Sequence, residues 1–303
     1  MTDGGGVRGT TRVAGVFGYP VTHSASPPMH NAAFAALGID AVYVPFSVAP
    51  ESVGAALAGV RALGLLGVNV TVPLKERIAP YLDEVSERAR AIGAVNTVVV
   101  REDGTLYGDS TDGPGFLRAL AAEGVAVGPD SRVVCLGAGG SARAVVYALA
   151  DAGARVTVAN RGRERAETLA AEFSHLPGRI AVADLTEAGV GAALADADVL
   201  VNTTSAGMHP NEDEMPPVPT DALRAGLLVS DLIYNPAETR LLALARARGC
   251  RVQNGVEMLV QQGTISFALW TGVEPPADVM RTAVLAALAA RKQQQGPRDH
   301  ASK

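Results

Sequence analysis

A glycine-rich segment stands where a short apolar stretch gives way to residues with helical spacing. Gly137, Gly139 and Ala142 form the pattern G-x-G-x-x-A directly after the apolar residues 133–136. The first glycine permits a tight turn, the second lets backbone approach a pyrophosphate, and the small alanine allows close helix–strand packing. The helix that follows is positive at its start and favours an anion there. A turn without a ligand is the alternative, but the context favours a dinucleotide loop of Gly137, Ala138, Gly139, Gly140, Ser141 and Ala142.

A basic cluster follows the next predicted strand. Residues 160–165 read Asn-Arg-Gly-Arg-Glu-Arg, with no carboxylate at the strand end. An acidic residue there would bind the ribose 2′-hydroxyl of NAD and repel a 2′-phosphate, whereas arginine pairs with phosphate through two hydrogen bonds. The cluster therefore predicts NADP(H) as cofactor, bound in part by Asn160, Arg161 and Arg165. Arg163 or Glu164 is interpreted as a solvated residue of the helix start.

Short polar motifs before residue 115 are typical of a site for a small polar ligand. Ser24 and Ser26 lie two residues apart ahead of a predicted helix. Their hydroxyls are suited to a carboxylate, and the alternative for Ser26 is a simple helix N-cap. Asn69 and Thr71 alternate with valines at a strand end, so both side chains face one side.

Three further residues add charge and an amide to this set. Lys75 opens the element after that strand, Asn96 starts an apolar strand, and Asp112 stands in a polar loop. Each alone also fits an ordinary surface or turn position. Together, the uncharged groups suit a polyhydroxylated ligand with one carboxylate, and one lysine with one aspartate suits proton transfer.

The elements that must position these residues alternate between strands and helices. Such alternation is typical of βαβ units and mostly parallel sheets. The pattern predicts short helices near 74–79 and 84–91, a helix over about 115–122, and one long helical segment over 257–291. We expect an α/β protein with two α/β domains, the first with a mostly parallel sheet and the second a Rossmann domain, and with C-terminal helices returning to the first.

The predicted domain boundaries follow from this reading. A substrate and catalytic domain takes 11–114 plus 257–291, and the Rossmann domain takes 115–256. The polar, glycine- or glutamine-rich ends, 1–10 and 292–303, are expected to be flexible tails.

Composition narrows the class further. Hydrophobic residues make up 48% and charged residues 19%, so a large core is expected and disorder is not. The net charge of -5 and the lack of a long basic run argue against nucleic acid. No signal peptide or bilayer-spanning run is expected. Two distant cysteines favour a reduced, cytoplasmic protein, and the histidines lack metal-ligand spacing. We expect a monomer or homodimer that acts on a small molecule, without a membrane partner.

Taken in order, these motifs resemble those of the shikimate dehydrogenase family. The resemblance covers about residues 12–290 and includes the segments 24–27, 69–75, 93–97, 109–113 and 137–143, together with Asn160-Arg161 and residues 202–205. It implies NADPH-dependent reduction of 3-dehydroshikimate to shikimate in aromatic amino-acid biosynthesis.

The resemblance also implies a role for individual residues. Lys75 and Asp112 would form the catalytic pair, with the carrier of the transferred proton left open. The carboxylate side of the substrate would meet Ser24, Ser26, Thr71 and Tyr234. Its ring hydroxyls would meet Asn69, Asn96 and Gln262. Beyond the loop and the basic cluster, the cofactor would meet Thr203 and Gly255.

Two departures and several alternatives accompany this reading. Glu257 stands where many relatives have a second glycine, and Gly162 where a threonine is common beside the 2′-phosphate. A quinate/shikimate dehydrogenase and an aminoshikimate dehydrogenase are alternatives within the class. A non-catalytic ligand sensor on the same fold is the alternative outside it.

Overall fold

A computed structural model describes residues 6–294, whose strands form two separate six-stranded sheets. The first sheet has the order β2-β1-β3-β5-β6-β4. Its pairs β1/β2, β1/β3 and β4/β6 are parallel, and β3/β5 and β5/β6 are antiparallel. Its strands are β1 (Arg12–Gly18), β2 (Ala41–Ser47), β3 (Gly67–Val70), β4 (Glu84–Val85), β5 (Thr97–Val100) and β6 (Leu106–Asp109).

Apolar residues cover both faces of this first sheet. Along β1, Val16 belongs to one buried cluster and Phe17 to the other, as the two-residue period of a strand requires. One face packs on α1 and the other on α2, so the strand ends are the places where polar side chains reach open space. The helices of this part are α1 (Ser26–Ala36), α2 (Val53–Ala62), α3 (Glu87–Ile92) and α4 (Asp112–Ala122), with short 3₁₀ turns at Pro50–Ser52 and Ala79–Tyr81.

The second sheet is parallel throughout and has the order β12-β11-β10-β7-β8-β9. The chain winds outward from β7 in both directions, so a crevice opens beyond the carboxyl ends of β7 and β10. The strands are β7 (Arg132–Leu136), β8 (Arg155–Asn160), β9 (Arg179–Asp184), β10 (Val199–Asn202), β11 (Leu228–Asp231) and β12 (Arg251–Gln253). The helices are α5 (Gly140–Asp151), α6 (Arg163–Glu172), α7 (Glu187–Leu194) and α8 (Arg240–Ala247), with a 3₁₀ turn at Thr220–Ala222.

Two C-terminal helices, α9 (Val256–Thr271) and α10 (Ala277–Gln294), return to the first sheet. Trp270 donates its indole N–H to the carbonyl of Val98 in β5 at 2.9 Å, and Phe267 packs against Phe34 of α1. The predicted α/β architecture with returning helices is thus confirmed. The helical segment expected over 257–291 is divided into two helices, because Gly272 ends α9 with φ at 73° and two prolines follow.

Local predictions of helix position were wrong in three places. Residues 74–79 form turns and no helix, and 84–91 divide into β4 and α3, which Ser86 starts by accepting a hydrogen bond from the N–H of Ala89. Helix α4 begins at Asp112 and not near 115. The polar loop expected around Asp112 is thus the first turn of the helix, and Pro114 is tolerated in that turn because a proline there removes no intrahelical hydrogen bond.

Of the predicted tails, residues 1–5 and 295–303 lie outside the described part. Thr10 donates a hydrogen bond to Asp40, and α10 continues to Gln294. Across residues 6–294, every helix is too short or too polar to cross a membrane.

Candidate active site

A largely buried ion pair joins the two predicted catalytic residues. Lys75 Nζ lies 2.6 Å from Asp112 Oδ2, and the two side chains are 13% and 8% exposed. Lys75 lies in the turns after β3, and Asp112 is the first residue of α4, where the helix dipole favours an acid. The other carboxylate oxygen accepts a hydrogen bond from Asn96 Nδ2 at 2.7 Å. Asp112 is therefore held in orientation on both sides.

Asn96 connects this pair to helix α9. Its Nδ2 also donates to Thr111 Oγ1 at 2.9 Å, and its Oδ1 accepts the Thr111 N–H at 2.7 Å. Gln262 Oε1 lies 3.4 Å from Asn96 Nδ2. The structure thus brings Asn96 and Gln262 to the Lys75–Asp112 pair, although 166 positions separate Asn96 from Gln262.

Asn69 lies in β3 at the centre of a second group of hydrogen bonds. It accepts from the Tyr43 hydroxyl at 2.8 Å and donates to Ser266 Oγ at 3.0 Å. Thr97 joins Ser266 to the Asn96 group, with Oγ1–Oγ distance 2.8 Å. Burial raises the pKa of Tyr43 well above its usual value, so the phenol stays protonated and remains a donor.

The predicted carboxylate-binding residues surround the loop between β1 and α1. Ser24 is half-buried and Ser26 is buried. Ala25 is the N-cap residue and Ser26 makes no cap hydrogen bond, so the alternative of a simple cap is wrong. Thr71 directly follows β3 and donates its N–H to Phe17 in β1, which brings the two strand ends together. Tyr234 follows β11, is half-buried, and packs against the apolar cluster that includes Ala25.

The glycine-rich loop occupies the crevice between β7 and β10. Gly137 has φ at 108°, and a Cβ there would lie 2.7 Å from Thr203 Oγ1, so both the backbone conformation and the space require glycine. Thr203 donates to the Leu136 carbonyl at 2.7 Å and fixes that wall. A Cβ at Gly139 would meet nothing within 4 Å, which leaves open space in front of the backbone. The exposed side of the loop fits a dinucleotide pyrophosphate at the start of α5.

The other residues of this loop serve its packing. Ala138 and Ala142 are buried, whereas Gly140 and Ser141 begin α5 and are half-buried. Gly255 is the N-cap residue of α9 and lies beside the residues that follow β11, where a Cβ would collide with the Leu232 carbonyl. A side chain is therefore excluded at both Gly137, which follows β7, and Gly255, which follows β12.

The basic cluster divides into engaged and available arginines. Asn160 ends β8 and donates to the Gly162 carbonyl at 2.9 Å. Arg163 pairs with Glu167 and Asp184 at 2.8 and 3.0 Å, which agrees with its interpretation as a helix-start residue. Within residues 6–294, Arg161 is exposed and forms no ion pair, so its guanidinium is available to an anion. Arg165 lies 3.4 Å from Glu76.

The lysine–aspartate pair lies beside the dinucleotide loop. A Cβ at Gly140 would be 4.0 Å from Lys75 Cβ and 3.4 Å from Glu76 Oε1. Arg143 of α5 also donates to the Ile92 carbonyl at 2.5 Å, just ahead of the segment that carries Asn96. A ligand in the crevice therefore meets the residues of the first sheet across a short gap.

Sequence reasoning missed several residues of this site. Tyr43 and Ser266 lie in it, and neither belongs to the motifs selected from the sequence. Arg143 lies against it and ends the segment 137–143, but that motif gave it no role of its own. One signal was present, because Ser266 follows Gln262 by four residues and so lies on the same face of α9. Tyr43 offered no signal, since an aromatic residue in a strand is ordinary.

Such an arrangement is that of an NADP-dependent oxidoreductase, in which a dinucleotide and a small polar substrate meet between two sheets. Family models of this kind of enzyme match three segments of the chain. They describe the shikimate dehydrogenase substrate binding domain at residues 16–98, shikimate/quinate 5-dehydrogenase at 119–221, and the shikimate 5′-dehydrogenase C-terminal domain at 255–285.

Individual relatives extend this agreement over nearly the whole chain. The shikimate dehydrogenase (NADP(+)) of Symbiobacterium thermophilum is 51% identical over 93% of this chain and 96% of its own. A crystal structure of shikimate dehydrogenase with NADP+ matches with a TM-score of 0.86 at 41% identity, over 93% and 97% of the two chains. The structure of the shikimate 5-dehydrogenase of Thermus thermophilus, in complex with NADP(H) and shikimate, matches with a TM-score of 0.83 at 39% identity. The match covers 92% of this chain and 100% of that one. The chain belongs to the shikimate dehydrogenase family.

Proposed function

We propose that this chain catalyses the reversible reduction of 3-dehydroshikimate to shikimate with NADPH, a step of aromatic amino-acid biosynthesis. The ketone carbon gains a hydride, its oxygen gains a proton, and NADP+ is released. Family membership supports the reaction and the cofactor. The observation that carries the proposal is the largely buried Lys75–Asp112 ion pair, which lies beside the dinucleotide loop and has an Nζ–Oδ2 distance of 2.6 Å.

The pair is suited to the proton half of the reaction. The bound cofactor supplies the hydride. The Lys75 ammonium stabilises the negative charge that develops on the carbonyl oxygen, and Asp112 holds that ammonium in place. Asn96 orients Asp112 through its second oxygen. The proton that the carbonyl oxygen gains is delivered by this pair.

Uncharged groups around the pair are suited to bind the rest of the substrate. Asn69, Asn96 and Gln262 already share hydrogen bonds with neighbouring hydroxyls, and the ring hydroxyls of the substrate would join that network. The carboxylate would lie at the loop that carries Ser24 and Ser26, where Thr71 and Tyr234 also converge.

The cofactor would bind along the carboxyl ends of the second sheet. Its pyrophosphate would meet the loop 137–142, and its 2′-phosphate would meet Asn160, Arg161 and Arg165. Thr203 and Gly255 would flank the nicotinamide end. The open space at Gly139 and the exposed guanidinium of Arg161 are the features that favour this placement.

The same proposal assigns the division of the chain and its setting. Residues 11–114 with 257–291 act as the substrate domain, and 115–256 act as the cofactor domain. The return of α9 to the first sheet, through Trp270 and Gln262, supports this division. We place the enzyme in the cytoplasm, as a monomer or homodimer, with a small-molecule substrate and no nucleic-acid or membrane partner.

The direct test is oxidation of shikimate by NADP+, followed through the near-ultraviolet absorbance of NADPH. We expect turnover with shikimate that is lost in the double variant Lys75→Ala/Asp112→Asn, which controls for host enzyme. Binding of shikimate without turnover would identify a ligand sensor instead.

Quinate serves as the second substrate in the same assay. Its extra hydroxyl, on the carbon that carries the carboxylate, would be buried against Ser24 and Ser26 without a free partner. We expect kcat/KM for shikimate to exceed that for quinate by about tenfold or more. Comparable values would make the chain a quinate/shikimate dehydrogenase.

A further inference from the structure

A single arginine near the end of α10 forms two hydrogen bonds with the loop between β1 and α1. Arg291 donates from one terminal nitrogen to the His23 carbonyl and from the other to the Ser24 carbonyl, each at 2.8 Å. The two carbonyls belong to consecutive residues, so they match the planar fork of a guanidinium. The contact spans more than 260 positions of the chain.

These two hydrogen bonds hold the backbone that carries both candidate carboxylate-binding serines. Ser24 Oγ accepts the N–H of Ser26 at 3.2 Å. That hydrogen bond uses the oxygen as an acceptor and leaves the hydroxyl hydrogen free to donate to a ligand. Because Arg291 holds the Ser24 carbonyl, it also holds the backbone from which the Ser24 hydroxyl extends.

Arg291 also places positive charge at this end of the site. Burial raises the pKa of Tyr234, while the charge of Arg291 lowers it in part. Among residues 6–294, no carboxylate forms an ion pair with Arg291, so its charge is not cancelled at close range. An anion bound at Ser24 would experience that charge.

We propose that Arg291 is a positioning residue for recognition of the substrate carboxylate, which it serves by holding Ser24 and by contributing positive charge. The inference rests on the proposed function. It assigns a role to the last turns of α10, which lie beyond the matched C-terminal segment 255–285.

The test compares Arg291→Met and Arg291→Lys with wild type. The methionine variant loses both hydrogen bonds and the charge, and the lysine variant keeps the charge but cannot bridge both carbonyls. We expect KM for shikimate to rise about tenfold or more in Arg291→Met and less in Arg291→Lys. KM for NADP+ should stay within about twofold, because the cofactor loop is untouched.

Arg248→Met is the matched control. Arg248 also donates to a backbone carbonyl, that of Thr220, at 3.0 Å, but it does so on the far part of the second sheet. We expect that variant to keep the wild-type KM for shikimate. Equal rises in Arg248→Met and Arg291→Met would overturn the assignment.

The methyl ester of shikimate separates carboxylate recognition from general loosening. If Arg291 acts on the carboxylate, the preference for the acid over the neutral ester should shrink about tenfold in Arg291→Met. A loss that is equal for acid and ester would indicate a structural role and overturn the inference. Should Arg291→Met not fold, the same comparison is made with Arg291→Lys.

A double-variant cycle tests the link through Ser24. Since Arg291 acts on the loop that presents Ser24, Arg291→Met should raise KM much less in a Ser24→Ala background than in wild type. Full additivity would contradict the proposed route. The wild-type assay distinguishes failure of the proposed function from failure of the role of Arg291. If wild type does not turn over shikimate, both proposals are overturned. If wild type does and KM for shikimate is unchanged in Arg291→Met, only the role of Arg291 is overturned.

Discussion

At the scale of single residues, the lysine–aspartate pair combines burial with rigid support. Asp112 accepts hydrogen bonds on both oxygens, from Lys75 and from Asn96, so its carboxylate is satisfied before any ligand arrives. Lys75 Nζ has two further donor positions, and a substrate carbonyl oxygen is a suitable acceptor for one of them. The pair therefore needs little rearrangement to act on a bound ketone.

Removal of the Lys75 amine should act on the transition state. We expect Lys75→Ala to lower kcat by two to four decades, or about 3–5 kcal/mol, because the ammonium is needed mainly as charge develops on oxygen. Steady-state kinetics with shikimate and NADP+ measure this. Alanine keeps the Cβ beside the dinucleotide loop, so NADP+ affinity should be nearly unchanged. A kcat close to wild type would remove Lys75 from the mechanism.

Arg161 should decide between the two dinucleotides. We expect Arg161→Ala to weaken NADP+ binding by about 1.5–3 kcal/mol, the size of a hydrogen bond to a charged group, and to leave NAD+ binding nearly unchanged. Calorimetric titration of both cofactors into each protein measures the difference.

Arg163→Ala is the matched control for that experiment. Arg163 is already engaged by Glu167 and Asp184, so its removal should change neither affinity much. If Arg161→Ala weakened NAD+ and NADP+ equally, Arg161 would support the fold and not read the phosphate.

At the scale of elements, the close contact of α4 with α9 sets the distance between Asp112 and Gln262. A Cβ at Gly115 would lie 2.6 Å from the backbone nitrogen of Gln262. Gly115→Ala must therefore push the helices apart, and we expect a loss of about 1–3 kcal/mol in the free energy of unfolding. Urea denaturation measures it, and a higher KM for shikimate should accompany it as Gln262 moves.

A second helical glycine gives the contrast. A Cβ at Gly59 in α2 would meet nothing within 4 Å, so Gly59→Ala should be neutral or stabilise by up to about 1 kcal/mol. Equal effects of the two substitutions would show that helix propensity, and not the α4–α9 contact, determines the outcome.

Elements were predictable from sequence where a local rule decided them. Apolar runs locate the strands of both sheets apart from β4, and Asp103-Gly104, a pair typical of tight turns, lies between β5 and β6 with Gly104 at φ 82°. Local rules misled at α4, since its start carries Gly113, Pro114 and Gly115. Those glycines are needed for helix packing, and packing partners are not visible in a local pattern.

The site was predictable in its motifs and not in its connections. Chemistry-bearing residues such as Lys75 and Asn96 stand in recognisable runs. Ser266 and Arg291 do not, because their roles come from partners far away in the chain, Asn69 and Ser24. These residues come together only when the C-terminal helices return to the first sheet. Local sequence patterns contain no information on such contacts, so the roles of these residues could not be predicted from them.

At the scale of the whole molecule, the returning helices meet the first sheet around one buried histidine. His30 of α1 stacks on Tyr43 of β2 with ring centroids 4.4 Å apart and also faces Phe267 and Trp270 of α9. In the described chain, neither of its ring nitrogens has a hydrogen-bond partner of good geometry. Any proton that His30 takes up would thus be placed in an apolar junction of three elements.

This junction should make the stability of the fold depend on pH. Burial lowers the pKa of His30 from 6.5 to about 3, and the nearby Asn69 offsets this only in part. Between those values the unfolded chain binds a proton that the folded chain does not, so unfolding becomes easier as pH falls, by about 1.4 kcal/mol per pH unit. We expect the free energy of unfolding to drop by about 2 kcal/mol from pH 6.5 to 5 through His30 alone. Urea denaturation across that range should show a shallower dependence in His30→Leu, whereas the same change at the exposed His175 should leave the wild-type dependence intact. Identical pH profiles for wild type and His30→Leu would mean that His30 finds a partner for its proton in the folded protein.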